Sequence, residues 1–169
     1  MSTNQPHSAN LRLHRLLDGP GTFFVTKSLQ PKKAVLCGEW SSMVVNAFLH
    51  NAVNGKALFA AFVVMPDHWH ALFAPTNDVT LPAFMRNLMG FIGAKTTKYL
   101  VEHGCAWQEG YYESRIRSTK QLMYVCKYIE MNPVRKELAS TPEAWHASSA
   151  AQRAIIITPW PWDFPGDHA

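Results

Sequence analysis

The pattern of apolar and polar positions is clearest around the triplet His68-Trp69-His70, which apolar runs flank on either side. Phe62-Val63-Val64-Met65 before it and Leu72-Phe73 after it are largely β-branched or aromatic. Such residues pack well on a pleated surface and predict strands over Ala57 to Met65 and His68 to Pro75. Further on the period changes. Leu122, Val125 and Ile129, with Met123 and Cys126 beside them, recur at helical spacing and predict a helix from Ser118 to about Met131, capped by Ser118 or Thr119. Thr80-Leu81-Pro82 opens another helix, with Thr80 as N-cap and proline in the first turn, running to Val101. The rest of the pattern gives a strand over Gly21 to Leu29, a helix over Glu39 to Val53 and a strand near Gly110 to Arg117.

Strand, helix, strand, strand, helix, strand is the order of the ferredoxin-like split arrangement. It predicts an α+β fold, an antiparallel sheet of about four strands with two crossover helices on one face. The third strand is central in that arrangement, which puts the histidines in mid-sheet.

Length adds a limit: 169 residues at 47% hydrophobic suit one domain with a proper core. The expected division is a loose segment over residues 1–20, polar from Met1 to Asn10, then a folded domain over 21–150 and a Pro/Trp-rich tail over 151–169. Within that tail Thr158 to Pro165 is too proline-rich for helix or central strand, and its aromatics suit a strap across the body better than a platform for DNA. Cys37, Cys105 and Cys126 are far apart and odd in number, which fits a reducing compartment, argues against a cysteine-based zinc site and predicts packing roles. No run of eighteen apolar residues and no charged-then-apolar leader is present, so the expectation is a cytoplasmic protein with no membrane partner.

Candidate chemistry begins with the triplet. Side chains alternate across a strand, so His68 and His70 share one face, with α-carbons roughly 6.5–7 Å apart, and Trp69 faces the other. Two neutral imidazoles so placed can converge on one cation; the bland alternative is a pair of ordinary polar-face residues. Tyr124, Tyr128 and Asn132 lie four apart and stack along one stripe of the last helix, which Pro133 ends or kinks at Asn132. A phenol on that last turn, with an amide one turn on, could face the histidine strand.

The net charge of +4 suits an anionic partner without proving one. Arg115 and Arg117 on the fourth strand, Lys95 and Lys98 on the helix before it, and Arg135 after Pro133 are candidate phosphate contacts around the site. Trp107, Tyr111 or Tyr112 could offer ring faces to unpaired bases.

These pieces together resemble a known family. Val64-Met65-Pro66-Asp67-His68-Trp69-His70, Trp107-Gln108-Glu109-Gly110-Tyr111-Tyr112, Tyr128-Ile129-Glu130-Met131-Asn132-Pro133-Val134-Arg135 and Trp145-His146-Ala147-Ser148-Ser149 occur in the order seen in REP-associated tyrosine transposases and in the wider group of single-tyrosine HUH transposases of bacterial insertion sequences. The resemblance covers Thr22 to Ser149. It implies a nuclease and strand transferase acting on single-stranded DNA beside hairpins formed by palindromic repeats. In this family a tyrosine attacks a backbone phosphate, stays linked to the 5′ end and frees a 3′ hydroxyl. Carried onto this chain, Tyr128 is the nucleophile, His68 and His70 are the metal-binding pair and Asn132 is the third protein ligand, with Mg2+ or Mn2+ as the cofactor. Zinc also accepts imidazole, so the ligand set alone does not fix the metal. The resemblance also lays the tyrosine-bearing helix over the sheet face opposite the crossover helices, and it allows a monomer or a homodimer.

The chain departs from the family in two places. Relatives often carry asparagine where Asp67 stands, and a small residue, glycine and leucine where Lys136-Glu137-Leu138 follow Arg135. The first adds a carboxylate beside the histidines or merely forms a turn after Pro66; the second leaves the end of the helical region open. Two other classes use the same residues: a metal-dependent phosphodiesterase using water, with Tyr128 structural, and a non-catalytic DNA-hairpin-binding protein.

Overall fold

The computed structural model describes residues 21–153. In chain order it forms β1 (Thr22–Gln30), α1 (Glu39–Val53), β2 (Ala57–Met65), β3 (His68–Pro75), α2 (Leu81–Glu102), β4 (Ala106–Trp107), β5 (Tyr112–Ile116), α3 (Thr119–Glu130) and the single turn α4 (Asn132–Arg135), then two 3-10 turns, Pro142–Ala144 and Ser149–Gln152. The expectations for Met1–Asn10 and for Thr158–Pro165 lie outside the described residues.

The sheet is antiparallel throughout and β3 is central, as the element order predicts. β3 pairs with β2 from Met65↔His68 to Ala57↔Pro75, and with β1 from Ser28↔His68 to Phe23↔Phe73. The outer edge of β1 takes the fourth strand in two pieces, β5 along Thr22–Thr26 and β4 at Leu29 and Gln30. The expected strand over Gly110 to Arg117 is therefore shorter, and β4 is an addition. Its interruption has a physical cause. Gly110 turns the chain at φ 72°, and the buried Lys27 donates from Nζ to the carbonyls of Gln108 and, at 2.6 Å, Gly110. The ammonium thus satisfies backbone groups that a continuous ladder would have paired. Burial holds the Lys27 pKa below its ordinary value, partly offset by Glu109.

Each sheet face carries its own core. On one side α1 and α2 cover Trp69, Ala71 and Phe73 of β3 and Phe59, Phe62 and Val64 of β2, with Phe48 of α1 set edge-on to Trp69 at 5.2 Å. On the other, Leu122, Cys126 and Ile129 of α3 pack on Ala61, Val63, Met65, Leu72, Ala74 and Ile116. The tyrosine helix thus lies opposite the crossover helices. Ser118 caps it, its Oγ accepting from the Gln121 N–H at 3.1 Å.

The free edge of β2 is not left open. Val64 donates from its N–H to Ala147 at 2.8 Å, Val63 bridges Ser148, and the Trp145 indole donates to the Val64 carbonyl at 3.0 Å. At Val63 and Val64 the covered edge offers no template for another strand. Cys105 and Cys126 are buried as expected, whereas Cys37 is exposed and has no packing role, because it precedes α1 in a surface loop. Among the described residues no helix is long and apolar enough to cross a membrane.

Candidate active site

Register decides what surrounds the histidines. Thr26 is the β1 partner of His70 and Ser28 that of His68, so these side chains share the α3 face, while Trp69 is fully buried on the other. His68 and His70 present their Nε2 atoms to each other at 3.1 Å. Behind them, His70 Nδ1 meets Thr26 Oγ1 at 2.7 Å and His68 Nδ1 meets Asp67 Oδ1 at 2.5 Å. If each Nδ1 proton is donated outward to these oxygens, the two Nε2 lone pairs face one another, which is repulsive unless a cation or a proton lies between them. Two ligand atoms each about 2.1 Å from one ion and at right angles are about 3 Å apart, so the pair fits a shared metal. Among the described residues no group of three or more His, Cys, Asp and Glu side chains is placed to hold a metal ion.

His70 is buried, and that burial, reinforced by His68 and by the charge of Lys32 and opposed by Asp67, pushes its pKa down to about 3. The imidazole is therefore neutral, the form that can ligate, at any physiological pH.

Tyr128 completes the cluster from α3. Leu122, Cys126 and Ile129 bury one stripe of the helix, which turns the neighbouring Tyr128 ring toward β1 and β3. That ring is half-buried, 5.7 Å from the His70 ring and edge-on to Phe24 at 6.1 Å. Phe24 in turn lies 5.4 Å from His70. The guanidinium of Arg135 sits over the Tyr128 ring, 5.2 Å from its centroid.

The helix stops at Glu130, close to where Pro133 predicts, but Asn132 is itself helical as the first residue of α4. The first turn of a helix tolerates proline because its N–H has no partner there in any case, so the chain restarts instead of unwinding. Asn132 is buried, and among the described residues no hydrogen bond engages its side-chain amide. Glu130 anchors the junction: Ser149 Oγ donates to Oε1 at 2.5 Å, and Arg153 reaches Oε2 at 3.2 Å. Burial nonetheless raises the Glu130 pKa to about 7, against the lowering pull of Ser149 and Arg153.

The candidate phosphate contacts divide. Arg135 is at the site. Arg115 pairs with Phe23 and so points to the crossover-helix side, and Lys95 and Lys98 are exposed on α2, again across the sheet from the histidines. These three are not brought to the site, because strand alternation and helix placement turn them away. Arg117 is exposed just beyond β5. Of the aromatics, Trp107 donates its indole N–H to Thr96 and packs with Tyr111 against the helix-side core, which leaves Tyr112, exposed beside Phe24 at 6.2 Å, on the histidine face. Sequence reasoning missed Phe24, Thr26 and Lys32. Only the β1–β3 register reveals the first two, and Lys32 follows from the loop after β1.

A ferredoxin-like sheet thus presents two histidines to a tyrosine on a separate helix, the arrangement expected of a transposase from the resemblance in sequence. The family model described as "Transposase IS200 like" matches residues 24–132, and the chain belongs to that family. It is similar to a REP-associated tyrosine transposase of Escherichia coli (strain K12), 26% identical over 152 residues that span 87% of this chain and 86% of the relative. A solved structure of a REP-associated tyrosine transposase bound to a REP hairpin superposes with a TM-score of 0.63 at 22% identity, covering 88% of this chain and 87% of that one. The shared fold is the α+β sheet with its added helix.

Proposed function

We propose that this transposase is a metal-dependent single-stranded DNA endonuclease and strand transferase that works beside DNA hairpins through a covalent 5′-phosphotyrosine. The observation that carries the reading is the Tyr128 ring lying 5.7 Å from His70, whose Nε2 faces that of His68 at 3.1 Å. The Tyr128 oxygen attacks the phosphorus and gives up its phenolic proton, the bond to the 3′ oxygen breaks, and that oxygen takes up a proton and leaves as a hydroxyl. The phosphodiester persists as a tyrosyl ester, so its energy is kept for rejoining to another strand.

His68 and His70 would hold Mg2+ or Mn2+ through Nε2, with Asn132 supplying an amide oxygen. Bound there, the ion would polarise the phosphate and neutralise charge developing on it. A phenol with a pKa near 10 is mostly protonated at neutral pH and needs such help. Arg135 holds the ring from above and adds positive charge, Phe24 fixes it edge-on, and Lys32 contributes a second cation near His70. Tyrosine and histidines meet within one chain, which supports a monomer as the catalytic unit. The hairpin held by the structural relative supports a palindromic repeat as the DNA partner.

The test uses labelled single-stranded oligonucleotides that fold into hairpins with unpaired flanks, incubated with Mn2+ or Mg2+ and run on denaturing gels. The wild type is expected to form a protein–DNA adduct only with metal, and Tyr128→Phe is expected to form none. Cleavage that survives in the variant would transfer the attack to water or Tyr124. Tight hairpin binding without cutting by either protein would make the chain a binding module.

A further inference from the structure

We infer that Asp67 is a positioning residue of the histidine pair, its carboxylate holding His68 in the tautomer that aims Nε2 at a metal ion and making His68 the stronger imidazole donor. This rests on the metal-dependent reading above.

The first ground is geometry. Asp67 Oδ1 lies 2.5 Å from His68 Nδ1, the nitrogen that faces away from His70. A carboxylate that accepts this proton leaves the Nε2 lone pair free and raises its basicity. The neighbouring imidazole has only a neutral hydroxyl in the equivalent place, Thr26 Oγ1 at 2.7 Å. Hydrogen bonds to a charged acceptor are roughly twice as strong as neutral ones. The two histidines are therefore unequal ligands.

The second ground is that the turn does not need the carboxylate. Pro66 and Asp67 join β2 to β3, and backbone groups fix them: the Pro66 carbonyl accepts from the Leu36 N–H at 2.8 Å, and the Asp67 carbonyl from the Leu29 N–H at 2.8 Å. With the main chain held from β1 and the loop after it, the side chain is spare for His68. Its partial burial, 30% exposed against 16% for His68, keeps the pair from being fully screened by water while sparing it the cost of deep burial.

The experiment is Mn2+ binding to the DNA-free protein, measured by electron paramagnetic resonance of the free ion, for wild type, Asp67→Asn and Asp67→Ala. Asparagine keeps the shape and an acceptor oxygen but not the charge. The expected result is a Kd weaker by about tenfold in Asp67→Asn and by up to about a hundredfold in Asp67→Ala, with unchanged unfolding midpoints in EDTA. Nitrogen-15 shifts of His68 should move from one tautomer in the wild type toward a mixture in Asp67→Ala, and saturating Mn2+ should restore adduct formation in Asp67→Asn. Variants within twofold of a wild type that binds Mn2+ would overturn the role of Asp67 and leave the metal reading standing. A wild type that binds no Mn2+ would overturn both.

Discussion

The two faces of β3 differ more than its eight residues suggest. On the crossover-helix side Trp69, Ala71 and Phe73 are fully buried among aromatic rings of α1, α2 and β2. On the other, Leu72 and Ala74 lie under α3 at one end, while His68 and His70 stand at the end that α3 leaves to Tyr128, Phe24 and Arg135. One residue of alternation separates the side chains that seal the helix-side core from the histidines proposed to act in the reaction.

That separation is broken or upheld most directly at two adjacent positions. Trp69→Ala should cost about 3–5 kcal/mol, the range for emptying a large aromatic site, read as a fall in the urea midpoint. His70→Ala should cost only about 1 kcal/mol, the centre of the range for single substitutions. It should nevertheless reduce adduct formation at least a hundredfold. Equal losses of stability in the two variants would show that the histidine face also holds the fold together.

The legibility of the two faces was unequal as well. Period and breakers are local, so Phe62-Val63-Val64-Met65, Thr80-Leu81-Pro82 and the recurrence of Leu122, Val125 and Ile129 place their elements within a residue or two, and the β-α-β-β-α-β order gives the sheet. Tyr128, His68, His70 and Asn132 stand out by type and spacing. Register does not. Nothing local says that Thr26 sits opposite His70, that Arg115 sits opposite Phe23 and so turns away from the site, or that Lys27 interrupts the fourth strand from beneath. Strand alternation turns Arg115 away from the histidines, and the placement of α2 on the opposite sheet face does the same for Lys95 and Lys98.

Acidity sharpens the contrast, because the α3 side holds Glu130 and His70 with pKa shifts of opposite sense. Glu130 moves up, from 4.5 to about 7, so the folded chain retains a proton that the unfolded chain has released. Its contribution is intact below about pH 4.5 and is lost as pH rises through 7, on the order of 3 kcal/mol at most. His70 moves down to about 3, so its contribution is intact above about pH 6.5 and lost as pH falls toward 3. In EDTA, Glu130→Gln should therefore match the wild type near pH 4.5 and grow progressively more stable than it up to about pH 7, with the gap constant beyond. A gap independent of pH would mean that Ser149 and Arg153 keep Glu130 ionised throughout.

The smallest expected effect is at the far end of the tyrosine-side face, where α4 gives way to a residue that has no steric licence for its conformation. Glu137 adopts φ 58°, while its N–H donates to the Val134 carbonyl at 3.0 Å and the Leu138 N–H to the Pro133 carbonyl at 2.9 Å. These are the paired bonds of a helix C-terminus that glycine usually closes, and an L side chain there costs about 1 kcal/mol. Glu137→Gly should accordingly raise stability by about 0.5–1 kcal/mol, a shift of a few degrees in Tm, after glycine's greater freedom in the unfolded chain takes back part of the gain. Adduct formation should not change, because Glu137 is exposed and the turn keeps its shape around Asn132 and Arg135. If the rate rises or falls with the Tm, the strain reaches the site, and the end of α4 belongs with the catalytic face and not merely beside it.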